Sequence, residues 1–412
     1  MPEDELFKHT KVLPEVWEAL SASDNQRVTV IVRPADSTTP EQLRQEIERK
    51  VKGAADLATT DYFVRVTVDR AGLGRLEEHA MVDRVWHDKR LKGQWQDAAQ
   101  TVKAQPARSL FGATGKEIAW AVLDTGVRAT HKYFAGPKGV KQYLVARDTA
   151  YNFAGGAYRD GAGHGTHVAG IIRKIAPECE LYDFRVLDAK GYGSSFATIQ
   201  AMETIRHLNQ RPNGPVIHGA NLSLGGPAPV ASYAVGHSPE CQEANRLVDS
   251  GVVVCVAASN DGYKDLATVV GSELESFPTF MDIGIADPGN AEDVITVGST
   301  HKTKPHTYGP SYFSSRGPTG DGRPKPDLLA PGEKIISASH ENDSADVEMS
   351  GTSMATPVVS GVVALFLSAY REFIGRPRDV KRLLMETCTD LGRDRYFQGA
   401  GLVDALRLLQ AA

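Results

Sequence analysis

Short apolar runs alternate with amphipathic stretches from about residue 118 to the C-terminal region of the chain. Strand-like runs lie at 118–123, 181–186, 216–224, 252–257 and 294–297, and helical patterns between them include 198–208 and 241–250. Strands that alternate with helices are typical of a parallel sheet with helices on both faces. The pattern therefore predicts a doubly wound α/β domain here.

The first part of the chain has shorter elements. A β-branched run at 27–33 is followed by a predicted helix start, with Thr39 as N-cap, Pro40 as first helical residue and Gln42 as partner of the cap. Later elements are predicted at 62–68 (strand), 73–79 (helix) and 81–86 (strand). This order predicts a small α+β domain whose helices cover one face of a sheet.

These patterns divide the chain into four segments. We expect an N-terminal extension at 1–26, the small α+β domain at 27–93, a polar connector at 94–115 and the large α/β domain at 116–412. A length of 412 residues fits this division, because domains typically have about 100–200 residues.

Composition narrows the class of protein. Hydrophobic residues make up 41% and charged residues 24%, and the formal net charge is −5. These values are typical of a globular chain without a basic surface for nucleic acid. We expect no membrane partner, because no long apolar run and no signal-peptide pattern is seen. The four cysteines are widely spaced without metal-ligand pairing, which favours a cytoplasmic location.

An aspartate follows the first strand of the large domain. Asp124 ends an apolar run, and Gly126 allows the chain to turn after it. Parallel sheets carry functional groups at the carboxyl ends of their strands. Taken alone, Asp124 is more commonly a turn cap.

A histidine lies in a segment of small residues, GAGHGTHVAG, that opens a helix. His164 has small neighbours, which let a substrate approach closely, and a neutral histidine can act as a general base. We expect His167 to be a hydrogen-bonded packing residue. No acidic or cysteine ligand has the spacing of a zinc helix, so no metal site is predicted.

A serine opens the most apolar helix of the chain. The segment 358–370 is apolar nearly all round, and Pro357 is tolerated only in the first turn of a helix. We therefore expect Ser353 at or just before the helix N-terminus, where free N–H groups and the helix dipole favour negative charge. The alternative is that Ser353 or Thr352 is a simple N-cap.

The three segments are more specific together than separately, because a serine nucleophile needs a base and the base needs a carboxylate. Asp124, His164 and Ser353 follow one another at intervals of 40 and 189 residues. Their motifs, VLDTGV, GHGTHVAG and GTSMATP, resemble those of the subtilisin-like serine proteases (subtilases), which have this chain order. The resemblance extends from about residue 107 to the C-terminus, and it includes the segments 221–226, 312–318, 326–332 and 399–404.

The resemblance implies a serine endopeptidase. Ser353 would attack the peptide carbonyl, His164 would transfer the proton, Asp124 would orient His164, and Asn260 would stabilise the oxyanion together with the Ser353 N–H. Most relatives have glycine before this asparagine, whereas this chain has Ser259.

The resemblance also implies where a substrate peptide binds. Two chain segments would hold the peptide in an extended conformation, and one of them would also help to wall the pocket for the residue before the scissile bond. The edges would be Gly191, Tyr192 and Gly193 on one side and Ser223, Leu224 and Gly225 on the other, and Ala257, Ala258 and Ser259 would complete the pocket.

No cofactor is implied. Many subtilases have a calcium-binding loop that interrupts the helix after the catalytic histidine, but here 170–177 continues without an insertion. Calcium elsewhere stays possible, and we do not expect that loop site.

The small N-terminal domain resembles a subtilase propeptide in the order of its elements. The resemblance implies that the chain's own N-terminal domain assists folding and inhibits the enzyme until it is cleaved; the alternative is a retained accessory domain. Two other functions stay open on the same fold. A catalytically silent peptide-binding protein is disfavoured by the complete triad and Asn260, and an acyl-transfer (macrocyclising) enzyme is not separated from a hydrolase by sequence.

Overall fold

The structure is a computed structural model that describes residues 10–23, 26–88, 98–134, 144–145, 152–155, 159–210, 215–226, 234–270 and 273–412. The chain divides into two compact units, Met1–Gln94 and Trp95–Ala412. Each unit has its own sheet and its own buried core.

The N-terminal unit is a four-stranded antiparallel sheet with order β2-β3-β1-β4. Thr39 and Gln42 form the expected capping box at the start of its second helix. The elements are α1 (Pro14–Ser21), β1 (Arg27–Pro34), α2 (Pro40–Lys50), β2 (Ala55–Thr59), β3 (Val64–Asp69), α3 (Arg70–Glu78) and β4 (Val82–His87).

The segment 1–26, predicted as an extension, is in part a structural element of this unit. Helix α1 buries Val16 and Leu20 in the same core as Val30 of β1. The helix is only 8 residues long, so its periodic pattern was too short to recognise in the sequence.

The larger unit is built on a seven-stranded parallel sheet with order β13-β12-β9-β8-β5-β7-β6. Its strands are β5 (Ala119–Asp124), β6 (Leu144–Val145), β7 (Glu180–Arg185), β8 (Gly219–Leu222), β9 (Val253–Ala257), β12 (Ile295–His301) and β13 (Leu328–Glu333). Two antiparallel pairs lie outside it, namely β10 (Tyr263–Val270) with β11 (Glu273–Phe280) and β14 (Ile335–Ala338) with β15 (Asp346–Met349).

Helices cover both faces of this sheet, which confirms the predicted doubly wound α/β fold. Alternate residues of β5 point into two separate cores: Trp120 packs with residues of α6 and α10, and Leu123 packs with residues of α7 and α8. The helices are α4 (Ala98–Thr101), α5 (Ala104–Phe111), α6 (His164–Ile175), α7 (Ser195–Asn209), α8 (Pro239–Asp249), α9 (Pro305–Tyr308), α10 (Thr352–Ala369), α11 (Pro377–Glu386), α12 (Arg395–Gln398) and α13 (Ala405–Gln410), with a 3-10 turn at Arg371–Phe373.

The predicted connector at 94–115 differs from the structure. Helices α4 and α5 lie in this segment, and Ala98, Val102 and Ala107 are buried in the core that contains α10. The buried side chains are mostly alanines, which give only a weak hydrophobic pattern. The β10–β11 hairpin was also not predicted.

Helix α10 runs through the centre of the larger unit. Within the described residues it is the one helix long and apolar enough to cross a membrane, but its residues are mostly buried inside the protein. It is a core helix that carries Ser353 at its N-terminal end.

Candidate active site

Asp124 lies at the carboxyl end of β5 and is fully buried. Its Oδ1 accepts hydrogen bonds from the Thr125 backbone N–H at 2.7 Å and from His164 Nδ1 at 2.8 Å. Because Nδ1–H donates to this carboxylate, Nε2 of a neutral ring is the basic nitrogen. The structure thus brings together the aspartate and histidine that the sequence singled out.

His164 is the first residue of α6, and its side chain is 29% exposed. Burial lowers the pKa of His164, but the charge of Asp124 and its hydrogen bond to the ring raise it, and the pKa lies above its ordinary value of 6.5. The residue before it, Gly163, has φ +84° and a backbone so close to the His340 ring that a side chain would collide with it. Glycine is therefore required immediately before the histidine.

Asp160 holds the His164 segment in place, and sequence reasoning missed it. Its buried carboxylate accepts hydrogen bonds from the backbone N–H groups of Ala162, Gly163 and Thr166 at 2.7–3.1 Å. It also accepts from the hydroxyls of Thr125 at 2.9 Å and Thr166 at 2.6 Å. One side chain thus joins the turn after Asp124 to the first turn of α6. The signal in the sequence was the aspartate four residues before His164.

Ser353 is the second residue of α10, and its hydroxyl donates to the Ser223 carbonyl oxygen at 3.1 Å. The prediction that Pro357 lies in the first turn of this helix was wrong, because the helix begins at Thr352 and includes Pro357 as an interior residue. Proline has no N–H to donate to the carbonyl four residues earlier, which is that of Ser353. The Ser223 hydroxyl donates to this carbonyl at 2.8 Å instead.

The Ser223 hydroxyl is held by a buried polar network. The Asn221 side-chain amide donates to Ser223 Oγ at 2.9 Å, and Ser360 of α10 donates to the Asn221 side-chain oxygen at 3.0 Å. Asn221 and Ser360 are fully buried. The network fixes the predicted substrate edge against the first turns of α10.

Asn260 follows β9, and two hydrogen bonds orient its side-chain amide. Its Oδ1 accepts from the Thr352 backbone N–H at 2.9 Å and from the Thr352 hydroxyl at 3.1 Å. Because the amide oxygen has both of these donors, the Nδ2 group is available to donate toward the cleft.

Ser259, at the position where the subtilase resemblance implies glycine, adopts a backbone conformation that favours glycine. Its φ is +92°, and its hydroxyl donates to Asp261 Oδ2 at 2.6 Å. Burial raises the pKa of Asp261, but hydrogen bonds from Ser259 and Lys264 outweigh it and lower the pKa. The side chain of Ser259 thus stabilises the turn in which Asn260 lies.

The candidate site opens into one cleft with a volume of about 730 Å³. His164, Ser353 and Asn260 line it, together with most of the predicted substrate-binding residues: Gly191, Tyr192, Gly193, Ser223, Leu224, Gly225, Ala257 and Ser259. Ala258 does not line it, and it is fully buried. Its backbone bonds to Val297 and Ala286, and because alternate residues of an extended chain face opposite sides, its side chain points away from the cleft.

His167 lies outside the cleft lining. It is fully buried, and its Nε2 donates to the carbonyl oxygens of Ile335 at 3.0 Å and Val347 at 3.1 Å. Burial lowers the pKa of His167 to about 4. His167 is therefore a neutral residue that joins α6 to the β14–β15 pair.

No group of three or more potential metal ligands occurs within the described residues.

Comparison with known proteins finds relatives of the larger unit. A model of the subtilase family matches residues 115–402. Serine protease AprX of Bacillus subtilis is 32% identical over 362 residues, which cover 80% of this chain and 75% of AprX. Subtilisin DY of Bacillus licheniformis is 29% identical over 71% of this chain and 91% of its own length. The extracellular serine proteinase of a Thermus species is 34% identical over 64% of this chain and 53% of its own length.

Proposed function

Because the chain belongs to the subtilase family and is a subtilisin-like serine endopeptidase that acts on peptides or proteins, we propose that Ser353, His164 and Asp124 are its catalytic triad. The observation that carries the proposal is the 2.8 Å bond between Asp124 and His164 in a cleft that Ser353 and Asn260 also line.

The first step is attack of Ser353 Oγ on the substrate carbonyl carbon. Rotation of the serine side chain about Cα–Cβ redirects its hydroxyl from the Ser223 carbonyl toward His164 Nε2, which takes the proton. The Asn260 Nδ2 group and the Ser353 backbone N–H donate to the oxyanion of the tetrahedral intermediate.

The second half of the reaction releases the acyl-enzyme. Protonated His164 gives its proton to the leaving amine, and the C–N bond breaks. Water then enters, loses a proton to His164 and attacks the ester carbon, and Ser353 leaves with that proton. The negative charge of Asp124 stabilises the imidazolium in both halves.

The N-terminal unit inhibits the enzyme before cleavage in this proposal. The inhibitory role is supported by the order of strands and helices in this α+β unit, because subtilase propeptides have a similar order of elements. A parallel sheet pairs strands that are far apart in the sequence, and proteins with many such contacts fold slowly. An N-terminal unit that assists folding would therefore have a physical role.

We further propose a cytoplasmic location and catalysis without a cofactor. The location is supported by the four cysteines, which are all unpaired and buried. Fractionation of the native cells tests the location.

Catalysis without a cofactor is tested by dialysis against EDTA. The treatment is expected to leave kcat unchanged, and activity that is lost with EDTA and restored by calcium would contradict the proposal.

Self-cleavage by the proposed triad is tested by intact mass spectrometry of the purified protein over time, with Ser353→Ala beside the wild type. We expect the N-terminal unit to be lost from the wild type only, and the mass gives the cut site. Loss from both proteins would contradict self-cleavage.

Peptide products separate the alternative activities. Hydrolysis adds one water to the cleaved peptide, whereas acyl transfer to an amine gives ligated or cyclic products without water. A wild type that neither cleaves peptides nor reacts at Ser353 would be a silent binding protein.

A further inference from the structure

Among the residues that the structure describes, the charged side chains that line the cleft away from His164 are few and mainly acidic. They are Glu240, Asp287 and Lys190. The other polar lining residues, such as Ser194, Ser195 and Thr198, are neutral. The described lining thus gives this part of the cleft two carboxylates and one amine.

Glu240 is the second residue of α8, directly after the N-cap Ser238 and Pro239. Helix α8 packs against α7, whose first residue, Ser195, lines the same cleft. Glu240 is partly exposed. Within the part of the chain that the structure describes, Glu240 has no ion pair or hydrogen bond to a side chain, and the neighbouring segment 227–233 has no basic residue in its sequence.

Asp287 adds a second negative charge at a fixed position. It is buried, and its Oδ1 accepts from the Asn290 side-chain amide at 2.9 Å. Its backbone exchanges two hydrogen bonds of 3.0 Å with Gly226, at the end of the 223–225 edge. This carboxylate is part of the wall of the cleft, whereas the Glu240 carboxylate is free to contact a substrate.

We propose that Glu240 selects substrates with a lysine or arginine side chain on the acyl side of the scissile bond. The proposal rests on the endopeptidase function proposed above. Ala257 and Ser259 wall the pocket beside Asn260, and Glu240 lies beside the start of α7, which follows the 191–193 edge. The basic side chain is therefore further from the scissile bond than the residue that enters the pocket at Ala257.

Two positive charges near Glu240 oppose the binding of a basic side chain, but they do not reverse the preference for it. The N-terminus of α8 carries a partial positive charge equivalent to about half a unit, which the full charge of Glu240 outweighs. Lys190 is exposed, so water and salt screen its repulsion of a basic substrate. Lys190 is thus a suitable control residue.

The test uses fluorogenic peptides that differ only in lysine against glutamine at the second, third or fourth position before the scissile bond. We expect the wild type to prefer lysine about tenfold in kcat/KM at one of these positions, as one charge-assisted contact in a partly exposed site predicts. Glu240→Gln removes the preference, Glu240→Lys reverses it in favour of glutamine, and Lys190→Gln leaves it or increases it. Melting temperatures confirm that the variants are folded.

A binding measurement separates this proposal from the proposed function. The N-terminal unit of Ser353→Ala is first cleaved off with a trace of wild-type protein, and fluorescence anisotropy then compares the same lysine and glutamine peptides without any reaction. If the wild type hydrolyses none of the peptides while Ser353→Ala binds the lysine peptide more tightly in a way that depends on Glu240, only the catalytic proposal is overturned. Equal binding of the two peptides, or hydrolysis without a charge preference, would overturn the selection by Glu240.

Discussion

At the scale of single residues, the carboxylate of Asp124 controls the proton affinity of His164. The carboxylate is buried and hydrogen-bonded to the ring at 2.8 Å. Its charge favours the imidazolium against the effect of burial, so the pKa of His164 lies above 6.5.

This raised pKa predicts the pH dependence of the reaction. A general base must be neutral, so kcat/KM is expected to increase with pH as His164 loses its proton, with a midpoint above 6.5. In Asp124→Asn the midpoint moves down and kcat falls by about 10⁴-fold, because charge and tautomer control are lost. A wild-type profile with its midpoint at or below 6.5 would contradict the interpretation.

The backbone of Ser259 gives a second prediction, for stability. Its φ of +92° is unfavourable for any residue except glycine, by about 1 kcal/mol. Its bond to Asp261 contributes about 1 kcal/mol in return. We expect Ser259→Ala to destabilise the protein by about 1 kcal/mol, since it keeps the strain and loses the bond, and Ser259→Gly to be nearly neutral. Urea unfolding measures both, and equal losses in the two variants would refute this explanation.

At the scale of elements, the proposed active site depends on where strands end and helices begin. Asp124 ends β5, His164 begins α6 and Ser353 lies in the first turn of α10. Asp160 connects the first two of these ends with hydrogen bonds to both. It is a positioning residue that acts through His164.

Asp160→Asn tests this role. The amide cannot accept all five hydrogen bonds and has no charge, so we expect kcat to fall about 10–100-fold with little change in KM. The acid limb of kcat/KM also shifts to lower pH, because the charge of Asp160 helps to raise the pKa of His164.

A matched control is Asp343→Asn, whose exposed carboxylate accepts bonds from Arg128 and Thr130. Asp343→Asn should change neither kcat nor the midpoint of the acid limb of kcat/KM. A loss of melting temperature in Asp160→Asn without a shift of the acid limb would indicate a purely structural role.

The sequence was sufficient for the strands that are continuous apolar runs, because burial on both faces of a parallel sheet requires such runs. The motifs around Asp124, His164 and Ser353 were recognisable because they lie where an apolar strand ends or a helix begins, and because together they resemble those of the subtilases. Asp160 was not, because its importance arises from five donors that only the fold assembles. Helices α4 and α5 were missed because small buried alanines give little amphipathic contrast.

At the scale of the whole molecule, a buried charge cluster joins distant parts of the larger unit. Asp327, just before β13, contacts Lys325 at 2.6 Å and Lys381 of α11 at 3.0 Å, and it accepts from the Thr296 N–H of β12 at 2.7 Å. Burial lowers the pKa of Lys325, opposed by Asp327. Burial raises the pKa of Asp327, but the two lysines outweigh this and lower it.

Removing one partner of this cluster should be costly. In Asp327→Ala the buried Lys325 ammonium loses its counter-charge, and we expect the free energy of unfolding to fall by about 3–5 kcal/mol. Arg371→Ala breaks the exposed pair with Glu117, and a change below about 1 kcal/mol is expected. Calorimetry of both variants provides the comparison, and equal effects would show that burial does not determine the contribution of these pairs.

The central claim is that Ser353 is a nucleophile activated by His164, and active-site labelling tests it most directly. The N-terminal units of Ser353→Ala and His164→Ala are first cleaved off with a trace of wild-type protein, which is then removed. All three proteins are treated with a fluorophosphonate, and the adduct is located by peptide mass spectrometry. The account predicts one adduct, on Ser353 of the wild type, with labelling slowed by orders of magnitude in His164→Ala. An adduct on another residue, or equal labelling rates in the wild type and His164→Ala, would contradict it.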